Sequence, residues 1–206
     1  MRTIIIACAL LLAANAGAQT LAPATTITAR VGTDTAAYNY VEALQQYANG
    51  LLAGAGWASN DTPDQNRETW AGAGRMFSIG GVKVLAVGYV DQTLGDATDA
   101  QTSILPWLLA THSFGKVTGT ANYFVYTPVG DGEAIHVLEH AKTEYRLGAR
   151  WRAGAGYAGT RTGDGPWVHK PFVTTTYQSK LGAFEVWAQR PEEGRSTFQL
   201  RYTQVF

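Results

Sequence analysis

The nine residues Phe198-Gln-Leu-Arg-Tyr-Thr-Gln-Val-Phe206 alternate apolar and polar and finish on an aromatic. On a strand, Phe198, Leu200, Tyr202 and Phe206 share one face, while Gln199, Arg201 and Thr203 share the other. Gln204 is the one polar interruption of the apolar stripe. An extended segment with such a stripe must lay it against something apolar. That leaves a second packed sheet, as in a soluble sandwich, or lipid.

The N-terminal segment favours a chain that is exported. Arg2 precedes an unbroken apolar run from Ile4 to Ala14, and Ala16-Gly17-Ala18 then fits the small-residue pattern of a cleavage site. The run is too short to span a bilayer as a helix. The expected division is therefore a signal peptide at 1–18 and a mature domain at 19–206. Cys8, the single cysteine, lies inside the signal, so the mature domain is expected to hold together without disulfides. Beyond the signal no apolar run is long enough for a transmembrane helix. The mean hydropathy of −0.10 beside 46% hydrophobic residues is what alternation produces. The chain has 16 basic and 16 acidic residues, and removal of Arg2 leaves 15 against 16. That balance gives no argument for nucleic acid as a partner.

Turn signals recur at hairpin spacing. Reading them as boundaries gives strands at 25–32, 38–47, 51–58, 69–78, 82–92, 103–112, 117–127, 133–145, 150–161, 167–178, 183–190 and 198–206. An even count of twelve suits a closed up-and-down barrel with both ends on one side. Three segments fit poorly. Residues 38–47 read equally well as an amphipathic helix, which leaves ten strands as the alternative. Glu139 falls on the face expected to meet lipid. Pro106 lies inside a strand that is apolar on both faces, although proline belongs at edges and bulges.

Together these features resemble the bacterial outer-membrane β-barrels. The resemblance rests on the export signal, the cysteine-free mature chain, the Gly-rich alternating segments and the strand ending in Phe206, and it is to the class rather than to one family within it. It implies an all-β, closed antiparallel transmembrane barrel in the outer membrane. It also implies that Phe198, Leu200, Tyr202 and Phe206 form the signal read by the barrel-assembly machinery, and that outer-membrane lipid surrounds the barrel.

The charges support the same orientation. If Phe206 ends at the periplasmic rim, alternate connections face outward. Those connections and their edges carry Asp34, Asp61, Asp64, Glu68, Asp91, Asp96, Asp99, Asp131, Glu133, Asp164, Glu192 and Glu193, which is 12 of the 16 acids. The shorter inner turns carry Lys116, Arg146 and Lys180 and no acid. A soluble sandwich has no reason to sort its acids to one end.

Charge facing hydrocarbon is costly, so Arg30, Arg75, Arg150, Arg152 and Arg201 are expected in the lumen. Trp57, Trp70, Tyr145, Trp167 and Tyr177 fall near strand ends, where interfacial girdles sit. Arg75, Arg150, Arg152, Lys170, Glu185 and Arg201 are the candidate ligand-facing residues. The basic ones, with Lys83, outnumber Glu144 and Glu185, which suggests a small channel or ligand-binding barrel for small solutes, anions or sugars among them.

Candidate catalysts are sparse. His136, His140 and Glu144 recur at spacings of four, but strand residues four apart lie about 13 Å from each other, too far to ligate one metal; only a helical reading of that segment would bring them together. Thr111-His112-Ser113 brings a base and a nucleophile together in sequence, yet neighbours on a strand point to opposite faces. No cofactor or metal is expected. The competing readings are a lipid-modifying enzyme using His112, Ser113 or His140, and a secreted soluble sandwich.

Overall fold

The computed structural model describes residues 22–33, 38–60, 67–95, 100–190 and 196–206. The expected signal at 1–18 and the acids Asp34, Asp61, Asp64, Asp96, Asp99, Glu192 and Glu193 lie outside the described residues. Twelve strands are described: β1 Ala24–Thr33, β2 Tyr38–Gln46, β3 Leu51–Asn60, β4 Arg67–Ile79, β5 Val82–Leu94, β6 Gln101–Phe114, β7 Val117–Pro128, β8 Ile135–Arg146, β9 Trp151–Thr162, β10 Val168–Ser179, β11 Gly182–Gln189 and β12 Thr197–Val205. Each pairs antiparallel with its sequence neighbours, and β1 closes on β12 to complete a barrel. The closure runs from Thr26↔Val205 to Thr33↔Phe198, and the Phe206 and Thr25 backbones exchange two further hydrogen bonds at 2.9 and 3.2 Å. A closed barrel leaves no sheet edge in the plane of the membrane, where unpaired backbone groups would find no water. The soluble sandwich is thereby excluded.

The two-residue connections, after β4, β6 and β10, all lie at the end carrying both described termini. One of them is Gly80-Gly81, with φ of 56° and 83°. Two successive positive φ values are what a two-residue hairpin turn matched to strand twist requires, and glycine adopts them without a Cβ clash. Every connection of five or more residues leaves the opposite end, as expected.

Alternation sorts the side chains. Val31, Val41, Val90, Val173, Val186 and Leu200 are among the exposed apolar residues of the outer face, while the residues between them point inward. A continuous outer apolar surface of this kind faces hydrocarbon. In β12, Phe198 and Leu200 are exposed as the stripe predicts, and the interruption at Gln204 is tied down by the Tyr202 hydroxyl, which also reaches the Leu181 carbonyl.

The poorly fitting segments each have a local solution. Residues 38–46 form β2, paired to β1 and β3 along their length, so the helical alternative falls. At Pro106, β6 keeps its pairing to β5 through Gly88↔Pro106, while its register pairs with β7 skip Leu105 and Pro106. The residue that cannot donate sits where one ladder lapses. Glu139 is brought inside by a β-bulge: Asn122 pairs with His140 and Tyr123 with Leu138, so β8 has one residue more than its partner. The register to β9 shifts at the same place. The extra residue puts Glu139 and His140 on the same, luminal side.

Candidate solute-binding lumen

The bulge decides the chemistry of the interior. Glu139 Oε1 receives Arg30 Nη1 at 2.9 Å and Arg201 Nη1 at 2.6 Å. Its other oxygen accepts the Asn122 amide at 2.8 Å and lies 2.6 Å from His140 Nδ1. One carboxylate from β8 therefore binds side chains of β1, β7 and β12, across the seam where the barrel closes. A second knot lies beside it. Lys142 Nζ is 2.5 Å from Glu185 and 3.4 Å from Glu144, and Thr174 and Thr176 donate to those two carboxylates at 2.7 Å each.

An aromatic stack supports both knots. Trp187 is fully buried, with the Phe172 ring 3.8 Å away and nearly parallel on one side. The Arg201 guanidinium lies 3.4 Å from the indole centroid. Planar guanidinium on indole combines stacking with cation–π attraction, which a lysine would not reproduce. Phe172 itself covers Gly156, where an added Cβ would come within 2.4 Å of its ring.

The opposite wall, from β2 to β7, is apolar and aromatic. Leu44, Leu52, Trp70, Tyr89, Leu105 and Trp107 form its buried centre, with Tyr40, Phe124 and Tyr126 packed against it. Set into it is Glu42, which accepts the Tyr40 hydroxyl at 2.6 Å, the Tyr89 hydroxyl at 2.8 Å and the Trp70 indole N–H at 3.4 Å. Trp70 reaches Glu42 because Gly56 lies beneath it: a Cβ there would sit 2.2 Å from the indole. Gly56→Val is therefore expected to expel the ring and destabilise the barrel by about 1–3 kcal/mol, the usual cost of overpacking. Urea unfolding in lipid vesicles measures it, and a stability equal to the wild type would disprove this account of the glycine.

Between the two walls lies a cavity of about 450 Å³, within the range of small-molecule sites. Of the charged residues lining it, Arg30, Lys142, Arg152 and Arg201 are basic, and Glu42, Asp91, Glu139, Glu144 and Glu185 are acidic. The expected basic surplus is absent from this lining. Glu42, Asp91 and Glu139 face inward, and their luminal positions follow from the β2 strand, the register of β5 and the β8 bulge.

The individual site residues divide as follows. Arg152, Glu185 and Arg201 line the cavity. Lys170 shares the luminal face, being paired with buried Ala158 and one residue apart in parity from outward His169. Arg75 does not. Its neighbour Met76 packs in the luminal cluster, so Arg75 faces outward, paired with Leu51 and Ala86. Arg150 lies in the turn before β9, at the end carrying both termini, and donates to the Tyr177 hydroxyl at 3.3 Å. Trp70 is likewise luminal, not part of a girdle. The bulge also separates the histidines: His140 and Glu144 line the cavity, whereas His136 pairs with Val125 on the outer face. The three cannot meet on one metal. His112 Nδ1 lies 3.1 Å from the Gly81 carbonyl and Ser113 Oγ bonds Thr118 at 3.1 Å, so that base and nucleophile each have another partner.

No protein-family model matches the chain, and no curated protein sequence matches it. Solved structures do. The KdgM porin superposes with a TM-score of 0.64 at 10% identity, over 88% of this chain and 99% of that one. The KdgM porin in complex with disordered oligogalacturonate gives 0.61 at 10% identity, over 88% and 98%. The fold is that of an outer-membrane porin. At this identity the likeness speaks for the architecture, and the porin fold accounts for the twelve strands, the closed seam and the apolar exterior seen here. The luminal residues have to be read from this chain's own geometry.

Proposed function

We propose that the barrel is a small outer-membrane channel or solute-binding porin whose lumen takes sugar-sized polar solutes. The observation that carries this reading is the cavity of about 450 Å³ between an aromatic wall and a wall of mutually fixed charges. Sugars present apolar C–H faces that suit Tyr40, Trp70, Tyr89 and Trp107. Their hydroxyls suit the carboxylates and guanidinium groups opposite, which are held in place and lose little freedom on binding. A lining with nearly equal numbers of acids and bases attracts neither simple anions nor simple cations strongly. Arg152 and Lys170, which have no ion pair among the described residues, offer a carboxylate-bearing sugar a place for its charge. The KdgM porin was solved with an oligogalacturonate, and that supports acidic saccharides as the charged members of the solute class.

The remaining roles follow the same reading. Phe198, Leu200, Tyr202 and Phe206 are the segment recognised by the barrel-assembly machinery, and outer-membrane lipid is the partner of the apolar exterior. A lipid-modifying activity has no support in the positions of His112, Ser113 and His140.

Planar-bilayer recording tests the proposal. The wild type should conduct with a reversal potential close to zero in a salt gradient, and added monosaccharide or uronate should reduce the current. Arg152→Glu should shift the reversal potential towards cation preference and weaken block by uronate more than block by neutral sugar. A barrel that neither conducts nor binds either sugar would refute it.

A further inference from the structure

The outer wall carries a polar patch that the luminal reading does not use. Phe124 and Tyr126 pack in the lumen, so Val125 faces outward, and with it its partner His136 and, across β8, Arg161. Tyr123 is on the same face and its hydroxyl lies 2.6 Å from His136 Nδ1. With the hydroxyl donating, His136 keeps an Nε2–H for another acceptor. The Arg161 guanidinium lies over the Trp167 ring at 5.5 Å. That ring covers Gly159, where an added Cβ would meet it at 3.3 Å. His169 pairs with Gly159 and lies against Tyr157, with ring centroids 5.2 Å apart. The seven side chains form one continuous surface on β7 to β10 and the connection before β10. It lies at the end from which the long connections leave.

An arginine and two histidines on the lipid-facing side of a barrel are expensive deep in hydrocarbon and tolerated near its interface, where an anionic headgroup can meet them. Arg161 makes no hydrogen bond or salt bridge with a described residue, and its Nε and His169 Nδ1 are buried without a partner among those residues. Asp164, in the adjoining connection, is within electrostatic reach of His136 but pairs with neither. We propose that this patch binds the phosphate-bearing headgroup of an outer-leaflet lipid. Arg161 and His136 hold the phosphate, and Trp167 and Tyr157 lie along the headgroup and the start of the acyl chains. Guanidinium offers a forked set of donors that matches phosphate oxygens, and indole and phenol rings favour that depth of the bilayer.

Native mass spectrometry of the intact barrel, released from detergent after equilibration with defined lipids, tests this. Diphosphorylated lipid A should be retained by the wild type and its dephosphorylated counterpart should not. Arg161→Gln should lower retention about tenfold, as expected for losing a charge-assisted contact. His136→Gln should lower it in the same direction. Arg67→Gln, on the outer face at the same end of β4, should leave it unchanged, and heat-modifiable migration shows that each variant is folded. Equal retention of the two lipids would overturn the proposal, as would variants at Arg161 and His136 that retain lipid A like the wild type. Displacement of lipid A by an equal concentration of inorganic phosphate would reassign the patch to a free anion.

Discussion

Glu139→Ala should be the most damaging single substitution in the lumen, lowering stability by about 3–5 kcal/mol, the usual consequence of leaving a buried partner charge uncompensated. Glu139 is the shared acceptor of Arg30 and Arg201 and also holds Asn122 and His140. Its loss leaves two guanidinium groups facing each other on paired strands, because Arg30 and Arg201 are register partners at the seam. Glu139→Gln keeps a hydrogen-bond acceptor but not the charge, and should recover only part of the loss. Urea-dependent unfolding in vesicles, followed by the heat-modifiable band, reads the difference. A Glu139→Ala barrel as stable as the wild type would mean that water in the lumen already screens the arginines.

Trp187→Ala should cost a similar amount, about 3–5 kcal/mol, and should also raise conductance. The indole fills the space between Phe172 and Arg201 and touches the edge of the His140 ring. Its removal leaves a void continuous with the central cavity, unlike a sealed apolar cavity in a soluble core. Arg201 also loses the plane that orients it towards Glu139. The two substitutions act on one network, so their combined effect should fall short of the sum. Single-channel recording gives the decisive readout: unchanged or smaller conductance in a folded Trp187→Ala barrel would show that the constriction lies elsewhere.

Much of the architecture was legible in the sequence because a barrel writes its geometry at a period of two. The turn signals place every strand within a few residues, and the two-residue turns gather at the end carrying both described termini. The interior was read less well, for identifiable reasons. Glu42 was hidden because residues 38–47 satisfy both helical and strand periodicity, and only pairing with β1 and β3 decides between them. Strict alternation places Glu139 on the lipid side, and a single inserted residue reverses it; no local signal in Leu138-Glu-His-Ala141 announces the bulge. For Arg75 the sequence misleads because Ala71-Gly-Ala-Gly74 offers small residues on both faces, so the inward parity is carried by Trp70 and Met76 at its ends. Arg150 belongs to a turn, and the strand begins one residue later.

The seam has a consequence for how the molecule comes into being. β1 and β12 are the strands furthest apart along the chain, yet they are hydrogen-bonded neighbours, and the Glu139 cluster braces their junction from within. Until β12 is in place, β1 has an open edge, and the arginines on the two strands lack part of their shared acceptor's network. Such a sheet is exposed to pairing with other chains, and its closing contact carries the largest loop-closure cost in the molecule. Assembly should therefore be a late, all-or-none event, with the unsealed barrel as the species that needs protection.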